Sequence, residues 1–212
     1  MGVRYAATRT GPMAAATAMV HALAKTDPAL DRPDVKIQIH NLSAADPRAA
    51  NGIKFDDFPG FGIGSFVLRP RSTGSVHIRS ADIAEPPVVV ANYLADEYDR
   101  RTSIAALRLT RRIAEQPAFR KLIVREVRPG PEKQSDEELL AHIAALGATS
   151  YHPVGTCKMG TDAMAVVDPE LRVRGIRGLR VADAGIMPTM VSSNTNAPSF
   201  LIGERCAEFL LR

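Results

Sequence analysis

Two short stretches hold the residues best suited to chemistry. Tyr151-His152-Pro153-Val154-Gly155-Thr156-Cys157-Lys158-Met159-Gly160 sets a histidine among Pro and Gly, a loop setting in which an imidazole can be aimed into a cleft. Ser192-Ser193-Asn194-Thr195-Asn196-Ala197-Pro198 puts a carboxamide and small hydroxyls just ahead of an expected helix. At such a helix end, unsatisfied backbone N–H groups collect negative charge. A base and a hydrogen-bond donor there suit the removal of a proton and a hydride from an alcohol.

Each residue also has a plainer reading. His21, His40, His77 and His142 lie inside ordinary strand or helix patterns and are expected to be structural or solvent-facing. Cys157 beside His152 invites a nucleophile–base pair, but a free Cys is far more often a small buried hydrophobe. Asn194 by itself suits a helix entry or turn, and Asp183 suits either a turn cap or a contact to a ribityl hydroxyl. No acid pair and no G-x-S-x-G elbow is present. Gly60, Gly62 and Gly64 suggest a dinucleotide fingerprint, yet the third glycine of G-x-G-x-x-G would fall at Ser65, and strand-like Phe66-Val67-Leu68 follows. A flexible loop is expected there.

The elements that must position these residues are partly legible. Ala-rich Pro12–Ala24 suggests a helix on propensity. Val35, Ile37 and Ile39 alternate with polar neighbours, the period of a half-buried strand. Asn41–Gly60 reads as a long surface loop. Phe66–Leu68 and Val76–Arg79 read as strands joined by the Arg69–Gly74 turn, and Val88–Val90 as a short buried strand. A helix is expected from about Ala95 to Glu115, stopped by Pro117. Ser135 with Glu138 forms a capping box for a helix carrying Leu139, Leu140, Ile143 and Leu146, ended by Gly147. A short strand over Leu179–Ala182 and a final helix from about Pro198 to Leu211 follow.

Composition narrows the class. The 212 residues are 45% hydrophobic and 24% charged, ordinary for a soluble globular protein. Aromatics make up 5% and Trp is absent, which disfavours a base-stacking platform for nucleic acid. The net charge of +4 comes from basic residues mixed with acids. Their densest group, Arg100, Arg101, Arg108, Arg111 and Arg112, is expected to be a solvated helix face. Two cysteines without metal spacing exclude a disulfide framework and favour a reducing, cytoplasmic compartment. No metal site and no membrane span are expected.

In this order and spacing, Arg9-Thr10-Gly11-Pro12, Asp27–Leu30, Leu68–Ser80, Asn92-Tyr93-Leu94, His152–Gly160, Val166-Val167-Asp168, Leu179–Asp183 and Ser192–Arg205 resemble the glucose–methanol–choline (GMC) flavoprotein oxidoreductases. The resemblance implies an α+β fold, with an antiparallel substrate-domain sheet and flanking helices. It adds a C-terminal strand and helix that would complete an FAD-binding domain missing from this chain. Residues 1–65 would be the tail of the family's N-terminal region, and 66–212 its C-terminal region. The resemblance also replaces the propensity helix by a strand around Met19–Lys25. It implies FAD as cofactor, a small alcohol as substrate in choline or alcohol dehydrogenase-like fashion, and His152 and Asn194 as the catalytic pair. Asp183, Ala184, Thr195, Asn196 and Ala197 would lie against the cofactor. The Gly-rich ADP-binding unit of the family is not found, so a separate N-terminal FAD-binding portion or subunit is implied, and the isolated chain is expected to be inactive. The alternative is a non-catalytic fragment or interaction subunit that keeps the fold without flavin.

Overall fold

The structure is a computed structural model that describes residues 2–11, 14–16, 18–46 and 54–212. The chain forms two units interleaved in sequence. One takes the residues up to Val67 together with Arg100–Ala148; the other takes Leu68–Asp99 and Thr149–Arg212.

The first unit opens with α1 (Gly2–Thr8), followed by β1 (Ala18–Ala24), β2 (Val35–His40), β3 (Ala44–Asp46), β4 (Lys54–Phe55) and β5 (Gly62–Val67). An antiparallel sheet runs in the order β1-β2-β5, and β3 pairs with β4. The alternation in β2 works as expected: Val35 and Ile37 are buried, at 0% and 3% exposure. β1 overturns the propensity reading of Pro12–Ala24 and agrees with the strand implied by the resemblance; Pro12, Met13 and Thr17 lie outside the described residues. Pairing along β2, from Ala18 opposite His40 to Ala24 opposite Val35, outweighs the weak helical preference of alanine. Buried Asp34 closes the β1–β2 turn by accepting from the Thr26 backbone N–H at 2.8 Å and from the Thr26 hydroxyl.

The glycine-rich stretch is a strand, not a flexible loop, from Gly62 onward. Gly64 sits opposite Gln38, and a Cβ there would come within 3.2 Å of His40 Nε2. Glycine makes room for a neighbouring side chain. Likewise Asn41–Gly60 is not all loop, since β3 and β4 fall inside it; Pro47–Ile53 lie outside the described residues.

α2 (Glu97–Ala114) buries Thr102, Ile104, Ala106 and Thr110. The arginine group along it is not one solvated face. Arg111 turns inward, where it forks onto the Glu126 carboxylate at 2.8–3.2 Å and donates to the carbonyls of Gly130 and Lys133. Pro117 does more than stop α2: it begins α3 (Pro117–Arg120), where its missing N–H costs nothing. α4 (Asp136–Leu146) carries the expected Ser135–Glu138 capping box and ends at Gly147, with Leu139 fully buried.

In the second unit, β6 (Ser75–His77) pairs antiparallel with β7 (Val88–Val90). No hairpin forms about Arg69–Gly74, because β5 ends at Val67 and pairs with β2 instead. Val88, Val89 and Val90 are exposed rather than buried, since this two-strand ribbon has no second layer among the described residues. Leu179–Ala182 reduces to one bridge, Arg172 to Arg180. α5 (Asn196–Leu210) begins two residues earlier than expected and holds Pro198 in its third position, still among the helical residues whose N–H has no partner. Val167, Leu171 and Ile186 form the core of this unit, and Met159, Val181, Ile202, Cys206 and Phe209 pack on it. Among the described residues no helix is long and apolar enough to cross a membrane.

Candidate functional site

The histidine loop is held by backbone bonds at its far end. Cys157 N–H donates to Gly185 O at 2.9 Å, and Met159 N–H to Ile186 O at 2.7 Å. Gly160 N–H reaches Val167 O at 3.1 Å. Thus residues 157–160 are tied to the Val167/Ile186 core, on which α5 also packs through Ile202, Cys206 and Phe209. At the near end the chain turns sharply. Tyr151 has φ +57° and Gly155 φ +85°, both in the left-handed region. Such a conformation is easy for glycine and costs a tyrosine about 1 kcal/mol or more. Strain of this kind beside a candidate base is the sort of feature that functional loops retain.

His152 is half-buried between these bends, and its Nδ1 lies 2.9 Å from Thr195 Oγ1. Thr195 is 8% exposed and is the residue on which α5 begins, its carbonyl accepting from Ser199 N–H at 3.0 Å. The two motifs, 43 residues apart in sequence, therefore meet in space. Asn194, next to Thr195, is exposed at this junction. Asn196 and Ala197 are the exposed first two residues of α5, whose first turn contains no acidic residue.

Asp183 takes the turn-cap role. Its Oδ1 accepts from Gly185 N–H at 2.6 Å and caps a single 3-10 turn, Ala184–Ile186, in which Ala184 is half-buried. Gly185 is required there, because a Cβ would sit 2.8 Å from both Asp183 Oδ1 and Thr156 Oγ1. The backbone of Cys157 supports this turn. The hydrogen bond of the His152 ring goes to Thr195, so nothing couples the imidazole to the Cys157 thiol as a nucleophile.

Two contributors escaped the sequence reading. Arg69 Nη1 donates to Ser192 Oγ at 2.6 Å, across 123 residues, and so steadies the strand-free run leading into α5. Asp99, buried, accepts from the backbone N–H groups of Arg71 and Ser72 at 2.7–3.1 Å and holds the segment that carries Arg69. Neither pairing has a local signal, since each depends on folding between distant segments. A groove of roughly 270 Å³ lies elsewhere in the unit, lined by Met159, Leu171, Leu201 and Phe209 among others, and does not include His152 or Asn194.

Comparison with known proteins gives this geometry a context. Residues 70–203 match the family model described as GMC oxidoreductase. An alcohol dehydrogenase (acceptor) of Pseudomonas putida is 38% identical over 208 residues, covering 98% of this chain and 37% of that protein. The choline oxidase of Arthrobacter globiformis is 41% identical over 196 residues, covering 87% and 34% respectively. Among solved structures, an FAD-dependent oxidoreductase from Chaetomium thermophilum superposes with a TM-score of 0.71 at 26% identity, covering 84% of this chain and 28% of that one. The chain thus spans little more than a third of the length of these curated relatives.

Proposed function

This chain belongs to the GMC oxidoreductase family, and we propose that it supplies the substrate-binding and catalytic portion of an FAD-dependent enzyme that oxidises a small primary or secondary alcohol. The observation that carries this reading is the contact of His152 with Thr195, the residue that caps the start of α5, which brings the imidazole within one residue of Asn194. In it, residues 1–65 are the tail of the family's N-terminal region and 66–212 its C-terminal region.

The residues present fit a flavin. The first N–H groups of α5 have no helical acceptor, and no acid in the first turn offsets their positive end. Asp183 spends one carboxylate oxygen on its turn and has the other for a ribityl hydroxyl. Asp183, Ala184, Thr195, Asn196 and Ala197 would hold the cofactor. When bound, FAD supplies the acceptor for the hydrogen that leaves the alcohol carbon as hydride.

The chain's own residues handle the proton. His152 accepts it from the substrate hydroxyl, and Asn194 donates a hydrogen bond to the oxygen as negative charge develops there. An imidazole is a far weaker base than an alkoxide, so full deprotonation before the carbon–hydrogen bond breaks is costly. Stabilising that oxygen is the step the protein must assist, and one good donor is worth about 3–4 kcal/mol. The free cysteines, Cys157 and Cys206, agree with a cytoplasmic location.

The missing N-terminal flavin-binding portion, on the same chain or a separate subunit, is the expected partner. Exposed apolar side chains on α5, including Phe200 at 73% exposure, Leu201 and Leu210, support a covering surface of that kind.

The test is direct. This chain joined to a family flavin-binding portion should turn yellow and bleach on adding alcohol; the chain alone should do neither. His152→Ala in the joined protein should keep the colour and lose at least about 100-fold in turnover. Near-normal turnover in that variant would refute the assignment. Stoichiometric flavin on the chain alone would remove the partner from the proposal.

A further inference from the structure

We infer that Thr195 is the positioning residue of His152: its hydroxyl accepts the Nδ1–H of the imidazole and so leaves the Nε2 lone pair to act as the base. The inference rests on the reading of His152 as the base, and it assigns to the Thr195 side chain a duty separate from cofactor contact.

A threonine that precedes the first turn of a helix is a capping residue. Its hydroxyl oxygen ordinarily accepts from the backbone N–H two or three residues on. Here the residue three positions on is Pro198, which has no N–H to give. Thr195 also has helical backbone angles, φ −81° and ψ −6°, rather than the extended ones of a side-chain cap, and its hydroxyl makes no capping bond. The acceptor oxygen is therefore available, and it lies 2.9 Å from His152 Nδ1. The imidazole N–H stands in for the amide that proline removed.

That bond is shielded. Thr195 is 8% exposed, so water competes poorly for the hydroxyl. The partner also sits on a fixed element, since α5 is anchored to the core through Ile202, Cys206 and Phe209. A neutral imidazole carries one N–H, and the bond made by one nitrogen decides the role of the other. With the proton on Nδ1, His152 has a lone pair on Nε2 at all times when neutral. With the proton on Nε2, that edge of the ring would be a donor and could not take a substrate proton.

The experiment has two readouts. In the 212-residue chain labelled with ¹⁵N-histidine, His152→Gln assigns the His152 signals, and their shifts report which nitrogen carries hydrogen. The expected result is a protonated Nδ1 and a pyridine-like Nε2 in the parent chain, with Thr195→Ser unchanged. Thr195→Val should shift the population toward Nε2–H, and Pro198→Ala should shift it in the same direction by less, because the restored amide competes for the hydroxyl. In the flavin-loaded joined protein, Thr195→Val should lower kcat by about 10–100-fold with little change in KM and an altered acid limb of the pH profile, while Thr195→Ser recovers most of the rate.

An unprotonated Nδ1 in the parent chain would overturn the inference, as would a Thr195→Val variant with parental tautomer and pH profile. If Thr195→Val does not fold, the parent spectrum and Pro198→Ala still decide. An active His152→Ala enzyme alongside the expected tautomer would count against the catalytic reading alone.

Discussion

His40 and His152 are both half-buried histidines with a hydrogen-bonding neighbour, but they are restrained in different ways. His40 lies on β2, and its Nε2 is 2.9 Å from the amide nitrogen of Gln38, two residues away on the same face. The pleat of a single strand is enough to bring them together. His152 lies in a loop and meets Thr195 across 43 residues, through a helix start and a shared core. The first arrangement persists wherever the strand forms. The second requires α5, the Ala184–Ile186 turn and the 157–160 segment to be packed at once. A site built this way can be tuned by changes well away from the reacting atoms, and it can also be lost through them.

Truncating the two cores separates these cases most sharply. Leu171→Ala, in the cluster that supports the histidine loop and α5, should cost about 2–5 kcal/mol and also loosen the His152–Thr195 bond. Leu139→Ala, fully buried on α4, should cost a similar amount while leaving the His152 signals in place. Denaturant unfolding gives the first quantity and the ¹⁵N spectrum the second. Equal disturbance of His152 by both changes would mean that the two regions do not act separately.

A smaller effect is expected from the capping box. Ser135 accepts from Glu138 N–H at 3.2 Å, and the Glu138 carboxylate in turn takes the Ser135 N–H at 3.0 Å. Ser135→Ala should cost about 1 kcal/mol, read as a lowered denaturation midpoint, with no change in the site.

The smallest effect concerns pH. Burial first, and then the neighbouring His21, hold His40 below its ordinary 6.5. The unfolded chain thus takes up a proton that the fold resists. Stability should be complete above pH 6.5, fall as the pH drops below it, and level off once the lowered folded value is passed. Burial acts in the same direction on His142. His40→Gln should flatten part of this slope in Tm measured against pH. An unchanged slope would place the effect elsewhere.

Much of the architecture was legible because it is written in local pattern. The alternation of Val35, Ile37 and Ile39 and the Ser135–Glu138 spacing each specify an element through neighbours a few residues apart. The errors have a common origin. Alanine in β1 and glycine in β5 carry weak or contrary propensities, and their strands exist because β2 pairs with both. The valines of β7 read as buried by type, yet burial depends on what lies over them, which no local window contains.

For the candidate site, the sequence alone determined the chemical types: an imidazole in a Pro/Gly-bounded loop, a carboxamide before a helix, and a carboxylate able to cap a turn. Only the tertiary structure decided their company. It gave His152 to Thr195 rather than to Cys157, Asp183 to Gly185, and Arg69 to Ser192. Side-chain chemistry is a property of each residue and survives in any conformation. A 2.9 Å contact between residues 152 and 195 exists only after the intervening chain has folded onto a common core.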